Sequence, residues 1–145
     1  MKKLLTLVLL SLLVSADNIY ADDLEDYVEK TCSDPIKNFD LKKISEKYQS
    51  FLVEPDGTYV YSKADLNKMF KEIKNSPNIL TLKGKSFKIL SRWESEHFVS
   101  LASECQQILT YALEGEEFTE EYTTVGLSVF QVTKKGFNLI FEASY

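Results

Sequence analysis

The stretch that decides the architecture is Phe51-Leu52-Val53-Glu54-Pro55-Asp56-Gly57-Thr58-Tyr59-Val60-Tyr61-Ser62-Lys63-Ala64-Asp65-Leu66. It holds a turn, a strand and the start of a helix in sixteen residues. Glu54-Pro55-Asp56-Gly57 has turn chemistry, because proline presets φ and glycine admits conformations closed to other residues. Thr58-Tyr59-Val60-Tyr61 has the β-branched and aromatic content of a short strand. Ser62 then caps a helix with Asp65 three residues on, and Tyr61 is placed to staple against Leu66. Leu66, Met69, Phe70 and Ile73 give that helix an apolar face, and Asn75-Ser76-Pro77-Asn78 stops it.

Upstream of this stretch the apolar residues recur at helical spacing. Leu24, Tyr27, Val28 and Thr31 share one face, as do Leu41, Ile44, Tyr48 and Leu52, which predicts two helices separated by Ser33-Asp34-Pro35, with Asp40 capping the second. Downstream, from about Ile79, the period changes to alternation. Phe87 and Ile89, Phe98–Tyr111, and Phe118–Val132 read as strands, with hairpins at Gly115 and at Lys134-Lys135-Gly136, returning into Phe137–Phe141. Gly126 interrupts the long strand where the apolar set shifts, which predicts a bulge or bend there. Helices followed by a strand meander give the α+β class: N-terminal helices packed on one face of a strongly curved antiparallel sheet.

The N-terminus has two lysines, an apolar run from Leu4 to Val14 broken by Thr6 and Ser11, and then small residues, the pattern of a secretory signal. The run is too short to span a bilayer. Residues 1–21 are therefore expected to be a signal peptide and 22–145 a single α+β domain. Cleavage fits after Ala16 or after Ala21, and Ala21 is preferred because it leaves a polar spacer. The expected location is periplasmic or secreted. Loss of Lys2, Lys3 and Asp17 would take the net charge from -5 to -6.

In that compartment the two cysteines, Cys32 and Cys105, are expected to form a disulfide. The spacing is wrong for a redox or zinc motif. With 22 acidic residues against 17 basic ones and Arg92 the sole arginine, nucleic acid is excluded as a partner, and so is a polybasic membrane anchor. No stable membrane insertion, cofactor or metal is expected.

The stretch Phe51–Leu66 resembles the passage from a helix through a Pro-Asp-Gly turn and a short strand into the next helix in the cystatin-like superfamily of nuclear transport factor 2, ketosteroid isomerase and the SnoaL-type polyketide cyclases. The closing Val129-Phe130-Gln131-Val132-Thr133-Lys134-Lys135-Gly136-Phe137-Asn138-Leu139-Ile140 resembles their last hairpin. The resemblance covers about residues 24–145. It implies a cone-shaped fold whose sheet curls around a pocket, and it leaves a homodimer open.

Within that resemblance, an isomerase, cyclase or dehydratase would need a carboxylate base near the Pro-Asp-Gly turn, with Glu54 the first candidate and Asp56 the second. Tyr27 or Tyr48 would supply a hydroxyl to hold an enolate. The plainer reading, which is preferred, puts Asp56 in a turn, Glu54 in solvent and the tyrosines in the core. His97, the only histidine, lies between Glu96 and Phe98 and reads as a surface residue rather than a catalytic or metal-binding one. On the strand through Cys105, parity places Gln107 toward the helices and Glu104 and Gln106 on the other face. Glu114, Glu116, Glu117, Glu120 and Glu121 surround one hairpin, either as a solvated tip or as a face for a basic partner.

The leading expectation is an exported, non-enzymatic binding domain, using an interior pocket for a small apolar ligand or the acidic hairpin for an envelope or secreted protein. The alternatives are the small isomerase, cyclase or dehydratase and an exported inhibitor or immunity-type protein. A core filled by Phe87, Trp93, Phe130 and Phe141 would leave no pocket.

Overall fold

The computed structural model describes residues 19–145, with side chains from Asp22 onward. The expected signal peptide and both cleavage points therefore lie outside the residues whose side chains are described. Helix α1 (Ile19–Ser33) is followed by a short helix α2 (Pro35–Asn38) and a 3-10 turn (Leu41–Lys43). Then come β1 (Ile44–Glu54), β2 (Gly57–Ser62), α3 (Lys63–Asn75) and four long strands, β3 (Ile79–Glu94), β4 (Phe98–Leu113), β5 (Glu116–Thr133) and β6 (Gly136–Ser144).

The six strands form one sheet in the order β2-β1-β6-β5-β4-β3, antiparallel at every junction except β1–β6, which is parallel. The sheet is thus mixed rather than wholly antiparallel, because the chain crosses from one end of the sheet to the other through α3 before β3 begins. Helices α1 and α3 pack on one face, and the α+β class holds. Among the described residues no helix is long and apolar enough to cross a membrane.

The helix expected over Leu41–Leu52 is a strand. Ile44 and Tyr48 are both 2% exposed, but an i, i+4 pair shares a face on a strand as well as on a helix. What decides between the two is the partner: the strand after the Pro-Asp-Gly turn must pair with something, and β1 pairs with it from Gln49↔Ser62 to Glu54↔Gly57. Asp40 does cap, but it caps only the 3-10 turn, accepting a hydrogen bond from the Lys42 amide at 3.0 Å. The Ser62–Asp65 capping box of α3 forms in both directions. Asp34 and Pro35 start α2 as the break signal implied.

Curvature comes from bulges elsewhere than expected. Register runs without a shift through Ser103↔Gly126, so Gly126 carries no bulge in the β4–β5 ladder. Its missing side chain instead lets the Ala143 carbonyl pass, since a Cβ there would sit 3.2 Å from that oxygen. The extra residues lie on β3, at three points, on β1 between Ile44 and Gln49, and at Ile140 on β6, where Val129 pairs with Phe141 but Phe130 pairs with Leu139. The Glu114-Gly115 turn has both residues at positive φ (52° and 86°), a two-residue hairpin that explains the glycine.

Helix α1 lies across the concave face with Leu24 and Tyr27 buried against Leu101, Phe130 and Leu139. Two tethers fix it. Arg92 on β3 bonds Glu25 at 3.0 Å, and Cys32 is bridged to Cys105 with Cα atoms 5.9 Å apart. The approach at the second tether is so close that a Cβ on Gly84 would lie 2.7 Å from the Ser33 Cα and 2.8 Å from the Cys32 carbonyl oxygen.

Two outcomes follow. Replacing both cysteines by alanine should cost about 4 kcal/mol in denaturant unfolding, the loop entropy of a 73-residue separation; a change below about 1 kcal/mol would mean that the bridge adds nothing to the helix tether. Gly84→Ala should destabilise by about 1–3 kcal/mol with both thiols still oxidised, because the helix must retreat from the sheet.

Candidate functional site: an apolar cavity with one carboxyl

Between α1, α3 and the concave sheet face lies a cavity of about 360 Å³. Val28, Phe39, Met69, Phe70, Phe87 and Leu139 supply much of its apolar wall, and the Cys32–Cys105 bridge forms part of one side. Phe39 and Phe70 stack at 4.0 Å between ring centroids, joining the segment after α2 to α3. The core does not fill this space. Phe130 is fully buried beside it, whereas Trp93 is 67% exposed.

Among the described residues one carboxylic acid enters the cavity, Glu142. It faces inward because of the bulge at Ile140: were Ile140 in regular register, strand alternation would turn Glu142 away from the face that carries Leu139. In register it sits between Ser50 on β1 and Ser128 on β5, and all three line the cavity. The Tyr48 hydroxyl donates to Glu142 Oε2, and Ser128 Oγ donates to Oε1 at 3.2 Å.

Burial raises the Glu142 pKa above the ordinary glutamate range, working against the two hydroxyl donors, which lower it. Burial likewise raises Tyr48 and Tyr27, and the charge of Glu142 adds to both. Among the described residues no lysine, arginine or histidine lines the cavity.

Tyr27 is 7% exposed and its hydroxyl has no hydrogen-bond partner among the described residues. The nearby Thr31 hydroxyl donates to the Tyr27 backbone carbonyl at 2.9 Å. Its ring is fixed by edge contacts with Phe130 and Phe137, and the Lys43 ammonium lies 5.2 Å from its centroid.

The structure brings Tyr27 and Tyr48 together at the cavity but leaves the other candidates outside. Glu54 and Asp56 sit at the exposed end of the β1–β2 hairpin, where Asp56 accepts from the Tyr59 hydroxyl at 2.8 Å; the extension of β1 as a strand carries them away from the helices. His97 is exposed in the β3–β4 turn, 3.7 Å from Glu96. Among the described residues no three metal-binding side chains cluster.

Around the β4–β5 hairpin, Glu114, Glu116, Glu117, Glu120 and Glu121 are all exposed; Glu120 accepts from Tyr111 at 2.7 Å and Glu121 pairs with Lys85 at 2.6 Å. Gln107 points to the helices as its parity implied, donating to the Cys32 carbonyl at 2.9 Å. Glu104 stands opposite Lys88 and Val125 on the other face, and Gln106 bonds Ser86. Glu142 was not legible as a site residue. Its one signal is a single carboxylate in the otherwise apolar run Leu139–Ala143.

No protein-family model matches the sequence, and no curated protein matches it. Solved structures do match its shape. A conserved protein from Planctomyces limnophilus superposes with a TM-score of 0.67 at 11% identity, over 89% of this chain and 94% of that one. A nuclear transport factor 2-like superfamily protein from Salmonella enterica does so with 0.65 at 9% identity, over 89% and 92%. A ketosteroid isomerase-like protein from Erwinia carotovora gives 0.53 at 11% identity, over 90% and 89%. The chain has the cystatin-like, nuclear transport factor 2-like fold. At these identities the likeness speaks for architecture, and function rests on the cavity.

Two measurements check this description. Tyr27→Phe removes an unpartnered buried hydroxyl, so stability in denaturant should stay level or rise by up to about 1 kcal/mol; a clear loss would mean that the hydroxyl is bonded. For Glu142 the folded pKa lies above the unfolded one, so its contribution is fully present below the ordinary glutamate pKa and is lost as pH rises through the folded value. Wild-type stability relative to Glu142→Gln should therefore decline across that window. A pH-independent difference would contradict the burial of the acid.

Proposed function

We propose that the protein is an exported, non-enzymatic binding module whose interior cavity takes a small, largely apolar ligand with one polar group. The observation that carries this reading is the open space itself, about 360 Å³ walled mainly by aliphatic and aromatic side chains with one carboxyl at its polar end. Pockets of this size and composition suit ligands that bury their apolar body and are oriented by one or two polar contacts. Export is supported by the leader-like N-terminus and by the Cys32–Cys105 bridge, which needs an oxidising compartment to persist.

A second reading is favoured by a specific pair, Glu142 and Tyr27. A buried acid with a raised pKa beside a free hydroxyl is the equipment of a proton-transfer enzyme, with Glu142 in the place expected for Glu54. The acidic hairpin is the weaker basis for a protein partner, because Glu120 and Glu121 are already engaged by Tyr111 and Lys85.

A thermal-shift survey of small apolar compounds tests the proposal. Compounds that fit should raise Tm by about 5 °C or more near saturation. Ser103→Phe, which fills the cavity from the β4 wall, should abolish the shift, and unchanged compounds recovered after incubation would favour binding over turnover. Absence of any shift across neutral, basic and acidic compounds would overturn it.

A further inference from the structure

Among the described residues the cavity holds an acid without a base. Both oxygens of Glu142 lie within hydrogen-bond distance of hydroxyls, Oε2 of Tyr48 and Oε1 of Ser128, each able to donate to a carboxylate. Yet no described lysine, arginine or histidine lines the space, and an uncompensated carboxylate in an apolar enclosure is costly. Lys43 lies against the Tyr27 and Phe137 rings and lines a separate groove with Asp23, Asp26, Lys30 and Asp40. The two hydroxyls equip the site for an anion whose counter-charge no described residue supplies.

A second, independent observation points the same way. Glu142 is set into the cavity wall between Ser50 and Ser128, so the one carboxyl and the serines beside it form the polar end of a space that is otherwise apolar. A group that donates to Glu142 and carries positive charge would neutralise the carboxylate.

We infer that the cavity recognises a small apolar molecule bearing a protonated primary or secondary amine, with the ammonium held by Glu142 and the hydrocarbon body against Phe39, Met69, Phe70 and Phe87. This rests on the binding reading above and gives the ligand its chemical class. It excludes carboxylate ligands such as short fatty acids, which would bring a second negative charge against Glu142. It also excludes a purely apolar ligand, which would leave the carboxyl unserved.

Calorimetric titration at pH 7 of the oxidised protein with phenethylamine, phenethyl alcohol and hydrocinnamate tests it. The three share a phenyl ring and differ at the polar end. The amine should bind at least about tenfold more tightly than the alcohol, and the carboxylate most weakly. In Glu142→Gln the ratio of amine to alcohol affinity should fall to about one. An alcohol or carboxylate that binds as tightly as the amine overturns the amine assignment and leaves the binding reading standing. Failure of all three to bind removes both. The wild-type ratio decides the matter even if the glutamine variant does not fold.

Discussion

Everything in this molecule depends on α1 being held across the concave face of the sheet. The helix is anchored toward its N-terminal half by the Arg92–Glu25 ion pair and at its C-terminal end by the Cys32–Cys105 bridge. At Gly84 the helix backbone meets the sheet backbone with no side chain between them. Apolar burial of Leu24 and Tyr27 adds the non-directional part of the attraction, on the order of 2 kcal/mol per large side chain. Held this way, the helix roofs the sheet without filling it. The 360 Å³ between them is a consequence of where the tethers lie.

Much of that framework could be read from residue order. The capping box at Ser62 and Asp65, the break at Asp34-Pro35 and the hairpin glycines Gly115 and Gly136 each encode one local conformation, and each forms. Where the reading failed, the sequence was compatible with two answers. Ile44 and Tyr48 share a face on a helix and on a strand alike, and only long-range pairing with β2 and β6 selects the strand. Gly126 resembled a bulge because glycine in a strand signals either a bend or a close backbone approach, and here it is the second.

The candidate site was less legible than the fold for the same kind of reason. Glu54 and Asp56 stood out because they flank a turn, and a turn at the edge of a sheet leads to solvent. Tyr27 and Tyr48 were identifiable as apolar-face residues, but their meeting depends on a helix crossing a sheet. Glu142 was hidden by one residue. The extra Ile140 inverts the alternation of β6, so a carboxylate that parity from Leu139 would place outside is turned inward. Bulges are set by tertiary closure and leave almost no trace in a single sequence. The cavity's chemistry therefore follows from a defect in regularity that local rules do not see.

The account stands or falls on the cavity being occupied when the protein is at work, and native mass spectrometry of the chain purified gently from its own source measures that directly. A discrete small-molecule adduct of odd-nitrogen mass, released on unfolding and absent from protein carrying Ser103→Phe, is the expected result. A bare polypeptide mass under conditions that preserve the fold and the disulfide would contradict it.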